Sequence, residues 1–510
     1  MKNIRKRIVA FMLCAFMMSG IASCGKEEAS SEAPSENSEV VSEITSENSS
    51  DGSSEMNSEG TSESTSESTS ENTSESPSED ASEETSEETG AEGSGNYAEL
   101  AKKDNLLSER GVLEKGANSD YVPLNYDKMK AMWISQFDFE SVYSNGVKQR
   151  SESSYRELVA TALNNVKALG FNTVIVQVRP NGDSFYPSEY YPWSHFINGS
   201  YGKYAKYDPL KIFIEEAHAR ELSFQAWINP MRAMWVEDSK KIDSNYPMAS
   251  WMKDESKSRY LFVGTYIDKP CYFLNVYYEE VRQLIIDGAA EIVRYYDVDG
   301  VHMDDYFYPG DDLEMDKEEL RAEMAKNAAM TLKKMRYESL NKLISGIYSA
   351  VKAENKNVLF GISPAGNLNN VRNSHYADVD TWCGNKGYID YIMPQIYWGF
   401  DHTICPFAPT YQNWAVLCCE DVKYMVGLTL SNAIYGYNGT LYQEFIQNKD
   451  VYKRSFEYMN AQSSFDGFAV FCYQYFFNAI SNEPRVETAE ELANALPVIA
   501  KIPSKKIEYK

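Results

Sequence analysis

The run Asn172-Thr173-Val174-Ile175-Val176-Gln177-Val178 is almost wholly apolar and rich in β-branched side chains. A strand with one wet face would alternate polar and apolar residues. This one does not, so both of its faces must be covered, as in a parallel sheet sandwiched by helices. Immediately upstream, residues 155–169 carry apolar side chains at helical spacing and stop at Gly170. Downstream, Asp208 and Pro209 supply a cap and a first-turn proline for a helix reaching residue 222. A buried strand between two helices is the repeating unit of an α/β fold.

The same unit recurs outward in both directions. Strand candidates lie at 131–134, 172–178, 223–229, 300–304, 358–363, 389–395, 424–430 and 467–473. Helical patterns at 277–296 and about 317–353 fall between them, and a long insertion spans about 231–273. An open doubly wound sheet usually stops at about five to seven strands and offers a Gly-rich phosphate loop. No G-x-G-x-x-G occurs here. The predicted fold is therefore α/β, a closed (β/α)8 TIM barrel.

A different kind of chain precedes the barrel. Lys2, Arg5, Lys6 and Arg7 lead into an apolar stretch, 8–18, then Ser19-Gly20-Ile21-Ala22-Ser23-Cys24. Basic flank, short apolar core and small residues make a secretory signal over 1–23. The ending on Cys24 resembles a bacterial lipobox, which implies a lipid on Cys24 and a protein held at the extracellular face of the cell membrane. Residues 24–97 are nearly all Ser, Glu and Thr, and 26–97 hold 21 acidic residues against one lysine. Such a segment has too little apolar surface to offset the entropy of ordering, so a disordered acidic stalk is expected. The boundaries that follow are signal 1–23, linker 24–97, barrel domain 98–500 and a tail at 501–510. With a net charge of −26, the chain offers nothing for nucleic acid, and a monomer is expected.

Beyond Cys14 and Cys24, six cysteines are scattered without a C-x-x-C pair, so zinc-site spacing is absent. They read as dispersed buried thiols, with one or two disulfides as the alternative outside a cell. The five histidines, at 195, 218, 302, 375 and 402, also lack metal-ligand spacing. No metal and no cofactor are expected.

Barrel enzymes build their active sites from the C-terminal ends of the strands. Here those ends offer Ser135, Gln136 and Asp138, then Gln177, Arg179, Asn181 and Asp183. Asn229 and Arg232 follow, then His302, Asp304, Asp305 and Tyr306, then Ser363 and Asn367. Gln395, Tyr397 and Trp398, Ser431 and Asn432, and finally Tyr473, Gln474 and Tyr475 complete the rim. Amides, arginines and carboxylates can bind sugar hydroxyls, and flat aromatic rings can stack on pyranoses. A site for a phosphorylated metabolite would be more basic and richer in glycine.

Five runs carry a resemblance: Gln177-Val178-Arg179-Pro180-Asn181-Gly182-Asp183, Ala226-Trp227-Ile228-Asn229-Pro230-Met231-Arg232, the 299–309 run beginning Asp299-Gly300-Val301-His302-Met303-Asp304-Asp305-Tyr306, Gly361-Ile362-Ser363-Pro364, and the 390–398 run ending Gln395-Ile396-Tyr397-Trp398. In this order they resemble the glycosyl-hydrolase-like family ten, over about 128–480. The resemblance implies a (β/α)8 barrel acting on glycosidic bonds. Members include envelope lipoproteins that cut peptidoglycan strands stripped of stem peptides.

Chemistry names the residues. Glycoside hydrolysis usually uses two carboxyl groups. Asp304, ending the fourth strand on the same face as His302 and Tyr306, is the leading candidate. Asp305 beside it would raise one of the two pKa values by like-charge repulsion, which suits a general acid. Asp183 is the next choice for the second carboxyl, ahead of Asp138 and Glu189. If none reaches, an acetamido group of the substrate can act as nucleophile, oriented by Gln395 and Tyr397. Arg179, Asn229, Arg232, His302, Tyr306, Gln395, Tyr397, Trp398 and Tyr473 are the expected substrate contacts. The competing class is a noncatalytic glycan-binding surface lipoprotein on the same scaffold.

Overall fold

The computed structural model describes residues 97–110, 120–304, 307–310, 312–435 and 443–509. The signal segment, Cys24, the Ser/Glu-rich stretch as far as residue 96, Asp305 and Tyr306 lie outside the described residues.

Eight parallel strands close into a barrel. They are β1 (Met129–Ile134), β2 (Thr173–Arg179), β3 (Ser223–Ile228), β7 (Gly300–Asp304), β8 (Leu359–Ser363), β9 (Tyr391–Ile392), β10 (Lys423–Thr429) and β11 (Gly467–Phe471). Neighbours follow chain order, and β1 pairs with β11 through Met129↔Gly467 to close the ring. Every residue of β2 is buried, as its unbroken apolar run requires. The helix Glu152–Ala168 buries Tyr155, Val159, Leu163 and Val166 along one stripe. Ser151 caps its start by accepting from the Ser154 N–H. Gly170, at φ +84°, lets the chain leave it in a left-handed turn. Asp208 caps the helix Pro209–His218 in the same way, with the proline in its first turn.

Three elements differ from the sequence reading. The insertion after β3 is not featureless. It folds into an antiparallel sheet of β4 (Arg232–Trp235), β5 (Leu261–Tyr266) and β6 (Lys269–Leu274), in the order β4-β6-β5. The predicted charged helix is two helices, Lys317–Lys326 and Leu332–Glu354: the first ends at Asn327, whose N–H donates to the Glu323 carbonyl, and Thr331 caps the second by accepting from the Lys334 N–H. The sixth barrel strand is regular only at Tyr391–Ile392, and the run resumes at Gln395 as single bridges to Ala365 and Gly427. Pro394, which has no N–H to donate, sits at the gap.

Two glycines make room inside the barrel. A Cβ on Gly361 would lie 2.1 Å from the Tyr391 ring, and one on Gly427 would lie 2.8 Å from the Trp133 ring. At the opposite end from the strand termini, Asp299 is buried and accepts from the N–H of Phe224 and from the Tyr121 hydroxyl. Residues 504–507 pack across that floor, with Ile507 N–H on the Asn125 carbonyl and Ser504 beside Asn172.

Candidate active site

The C-terminal ends of the barrel strands surround a cleft. Asp304, the last residue of β7, stands in its wall and is 6% exposed. It is the one carboxylate among the described residues that line the cleft. Ser135, Gln136 and Phe137 come from the start of the helix that follows β1, and Gln177 comes from β2. Gln395 and Tyr397 follow β9, and Phe471 ends β11.

A chain of amides leads to Asp304. The Gln136 backbone N–H donates to Gln177 Oε1 at 3.0 Å. Gln177 Nε2 donates to Asn229 Oδ1 at 2.7 Å. Asn229 Nδ2 then donates to Asp304 Oδ1. Hydrogen bonds to the ionised form of a carboxyl favour that form.

Aromatic rings form the rest of the wall. Trp133 and Trp227 face the cleft from β1 and β3, and Tyr266 reaches it from the tip of the inserted sheet. Arg232 lies with its guanidinium 4.3 Å from the Tyr266 ring centre, and its Nε donates to the Pro180 carbonyl at 3.1 Å. The cationic plane is thus held flat against an aromatic face. Rings and fixed polar groups side by side are what a sugar needs, since a pyranose has apolar faces and hydroxyl edges.

Of the expected substrate contacts, Arg232, Gln395 and Tyr397 line the cleft, and Asn229 reaches it through Asp304. Four others do not. Simple alternation would put Arg179 beside Gln177, but the strand register shifts between the two. Arg179 turns outward, with its guanidinium 4.3 Å from the Tyr191 ring centre and packed on Gly288 of the helix Glu279–Tyr295. His302 is wholly buried one layer below Asp304. Trp133 Nε1 can only donate, so His302 Nε2 accepts from it at 3.3 Å. Nδ1 then carries the hydrogen and donates to the Tyr391 hydroxyl at 2.8 Å. Burial lowers the His302 pKa to about 3. It is a neutral prop for Trp133 and not a sugar ligand. Trp398 falls on the opposite parity from Tyr397 and packs beside His402. Tyr473 lies beyond the end of β11, in a helical turn, and its hydroxyl accepts from Asn165 at 2.9 Å.

Among the described residues, the other candidate carboxylates are also accounted for. Asp183 is fully buried and accepts from the Asn181 N–H at 2.8 Å, closing the turn that contains Gly182. Burial raises its pKa to about 6, with the Ser194 hydrogen bond and Arg232 pulling the other way. It is not among the cleft-lining residues, so the turn replaces the second-carboxylate expectation. Asp138 completes the capping box of the helix Gln136–Tyr143. Glu189 pairs with Arg110 at 3.2 Å, away from the cleft.

Trp133, Trp227, Gln177, Tyr266, Phe137 and Phe471 line the cleft without being among the expected substrate contacts. Trp133, Gln177 and Trp227 share the parity of Ser135, Arg179 and Asn229 on their own strands, so alternation marks them. Tyr266 has no such signal, because the sequence reading places no strand in the insertion.

A sequence model described as Glycosyl hydrolase-like 10 matches residues 128–437. A Bacillus subtilis protein named Glycosyl hydrolase YngK is 36% identical over 333 residues, covering 61% of this chain and 61% of that protein. Glycosyl hydrolase DigH of Escherichia coli K12 is 30% identical over 313 residues, 56% of this chain and 69% of the relative. The chain therefore spans about three fifths of the Bacillus protein's length. Among solved structures, the glycoside hydrolase domain of PgaB from Bordetella bronchiseptica aligns with a TM-score of 0.46 at 9% identity, over 72% of this chain and 98% of that one.

Proposed function

The chain belongs to the glycosyl hydrolase-like 10 family, and from that premise we propose that it hydrolyses glycosidic bonds in an N-acetylated cell-wall polysaccharide, with peptidoglycan strands lacking stem peptides as the first substrate to try. The observation that carries this reading is Asp304, a lone described carboxylate in a cleft of amides and aromatic rings.

Asp304 is the proton donor. Its O–H bond breaks as a new O–H forms on the glycosidic oxygen, and the electron pair of the severed anomeric C–O bond leaves with that oxygen. With Asp183 sealed in its turn, the acetamido oxygen of the substrate attacks the anomeric carbon. Gln395 and Tyr397 hold the acetamido group. Asp304, now a carboxylate, then takes a proton from the water that opens the cyclic intermediate. The glycan lies along Trp133, Trp227 and Tyr266, with Arg232 at the edge of the track. Cys24 carries the lipid that keeps the enzyme at the outer face of the membrane.

Release of reducing ends from peptide-free peptidoglycan and chitin-type glycans tests the activity. Asp304→Asn should lower kcat by about a hundred-fold or more. A thiazoline mimic of the cyclic intermediate should inhibit, and de-N-acetylated glycan should not be cut. Equal turnover of acetylated and deacetylated glycans, with loss of activity in Asp305→Asn, would instead make Asp305 the nucleophile. Glycan binding with no product from any substrate would sink the enzyme reading and favour a binding protein.

A further inference from the structure

We propose that Gln177 is a positioning residue: it fixes the orientation of the Asn229 amide and so assigns the transferable proton of Asp304 to Oδ2. This rests on Asp304 being the proton donor, as argued above.

The direction of the relay is set at its first member. Gln136 opens the helix Gln136–Tyr143. The N–H groups of a first helical turn have no partner within the helix. A backbone N–H can only donate, so Gln177 must present Oε1 to it, and the bond is 3.0 Å. The other end of that amide is then necessarily Nε2, which donates to Asn229 Oδ1 at 2.7 Å. Asn229 is left presenting Nδ2, and it donates to Asp304 Oδ1. Neither amide can turn over without setting two acceptors or two donors face to face. The relay crosses the barrel rim from the start of the helix after β1, through β2 and the end of β3, to β7, and Gln177 and Asn229 are 3% and 1% exposed. Water is a poor substitute for either bond there.

Asp304 Oδ1 is therefore an acceptor in both protonation states. A proton on Oδ1 would point at the Asn229 amide hydrogens. The proton that Asp304 gives to the glycosidic oxygen leaves from Oδ2. As it leaves, negative charge develops on a carboxyl that already receives a fixed N–H, so no dipole has to turn during the step.

Gln177→Glu reverses this logic with little change of shape. The carboxylate it introduces has only acceptors when ionised. One of its oxygens keeps the Gln136 N–H, and the other demands Nδ2 of Asn229, which turns Asn229 Oδ1 toward Asp304. A carbonyl facing the carboxyl, together with the added negative charge, disfavours the ionised form of Asp304. The variant should shift the alkaline limb of the pH–kcat profile, where Asp304 loses its proton, upward by about one unit or more. It should lower kcat by about ten- to a hundred-fold, with KM changed by less than about three-fold. Gln177→Met, which fills the space without hydrogen bonds, should lower kcat with a smaller limb shift. Thermal melting checks that both variants fold, and if Gln177→Glu does not, Gln177→Met decides through its kcat.

An alkaline limb in Gln177→Glu that coincides with that of the native enzyme overturns the proposal. So does an effect confined to KM, which would make Gln177 a substrate contact only. If the native protein cuts no glycan, the functional reading falls by itself. The relay is then read by the titration of the Asp304 side-chain carbon in 13C-aspartate-labelled protein, assigned against Asp304→Asn. An upward shift in Gln177→Glu supports the relay, and an unmoved titration refutes it.

Discussion

Asp138 is a carboxyl that the fold uses for architecture. It accepts from the N–H of Ser135 at 2.5 Å, from the N–H of Gln474 at 3.0 Å and from the Cys472 thiol at 3.2 Å, and so ties the start of the helix after β1 to the end of β11. Burial outweighs these bonds and raises its pKa to about 6, against an ordinary 3.8. A carboxyl that holds its proton more tightly when folded stabilises the fold fully below its unfolded pKa. That contribution is lost as pH rises through the folded value. The melting temperature of the native protein, relative to an Asp138→Asn variant, should therefore fall as pH goes from about 4 to about 6.5. Melts of both proteins in matched buffers check this, and parallel curves would show that Asp138 does not titrate there. The same scale explains what alternation could and could not reveal. It separates Tyr397, in the cleft, from Trp398, outside it. It fails at Arg179, where a register shift reverses the face, and at Tyr473, where the strand has already ended. Neither event leaves a mark in residue type.

The strands were legible because burial on both faces demands unbroken β-branched and aromatic runs, and the helices because apolar spacing, the stop at Gly170 and the cap Asp208 announce them. The inserted sheet was not, since β5 and β6 are half-exposed and take their order from pairing with each other (Phe262↔Phe273, Gly264↔Cys271). That sheet supplies Tyr266, so part of the cleft could not be read in advance. The segment after β7 was equally opaque, and one ion pair organises it. Arg336 and Asp316 are both fully buried, 2.7 Å apart, and Arg336 also donates to the carbonyls of Gly310 and Asp312. Its guanidinium lies 4.6 Å from the ring centres of Tyr308 and Tyr376. The helix Leu332–Glu354 thereby holds the chain that leaves Asp304. Arg336→Met leaves Asp316 charged and alone, which should cost about 3–5 kcal/mol in denaturant unfolding. Adding Asp316→Leu should recover a large part of that stability, because the second buried charge is then gone. If the double variant is no more stable than the single one, the backbone contacts of Arg336 dominate over the ion pair.

At the scale of the whole molecule, the proposal of a lipid on Cys24 has a consequence for where the barrel can work. Residues 26–97 carry 21 acidic residues and one lysine, while the barrel holds its own buried core from β1 to the C-terminal helix Ala489–Ile499. A flexible chain of about 70 residues spans roughly 45–50 Å on average, and a self-repelling one more. If Cys24 is lipidated and the stretch is disordered as its composition predicts, its length would set how far from the membrane the cleft can meet an insoluble polymer, without touching the chemistry. Shortening it to about ten residues with Cys24 kept should leave turnover of soluble glycan fragments unchanged. Turnover of insoluble, peptide-free wall glycan by protein anchored on vesicles should drop. Combining the short stretch with Cys24→Ala should restore turnover of the wall, because the unanchored barrel diffuses to its substrate. Measuring reducing ends from both substrates with all three proteins separates reach from catalysis. Loss of soluble-substrate turnover in the shortened protein would show that the acidic stretch takes part in the active site and is more than a tether.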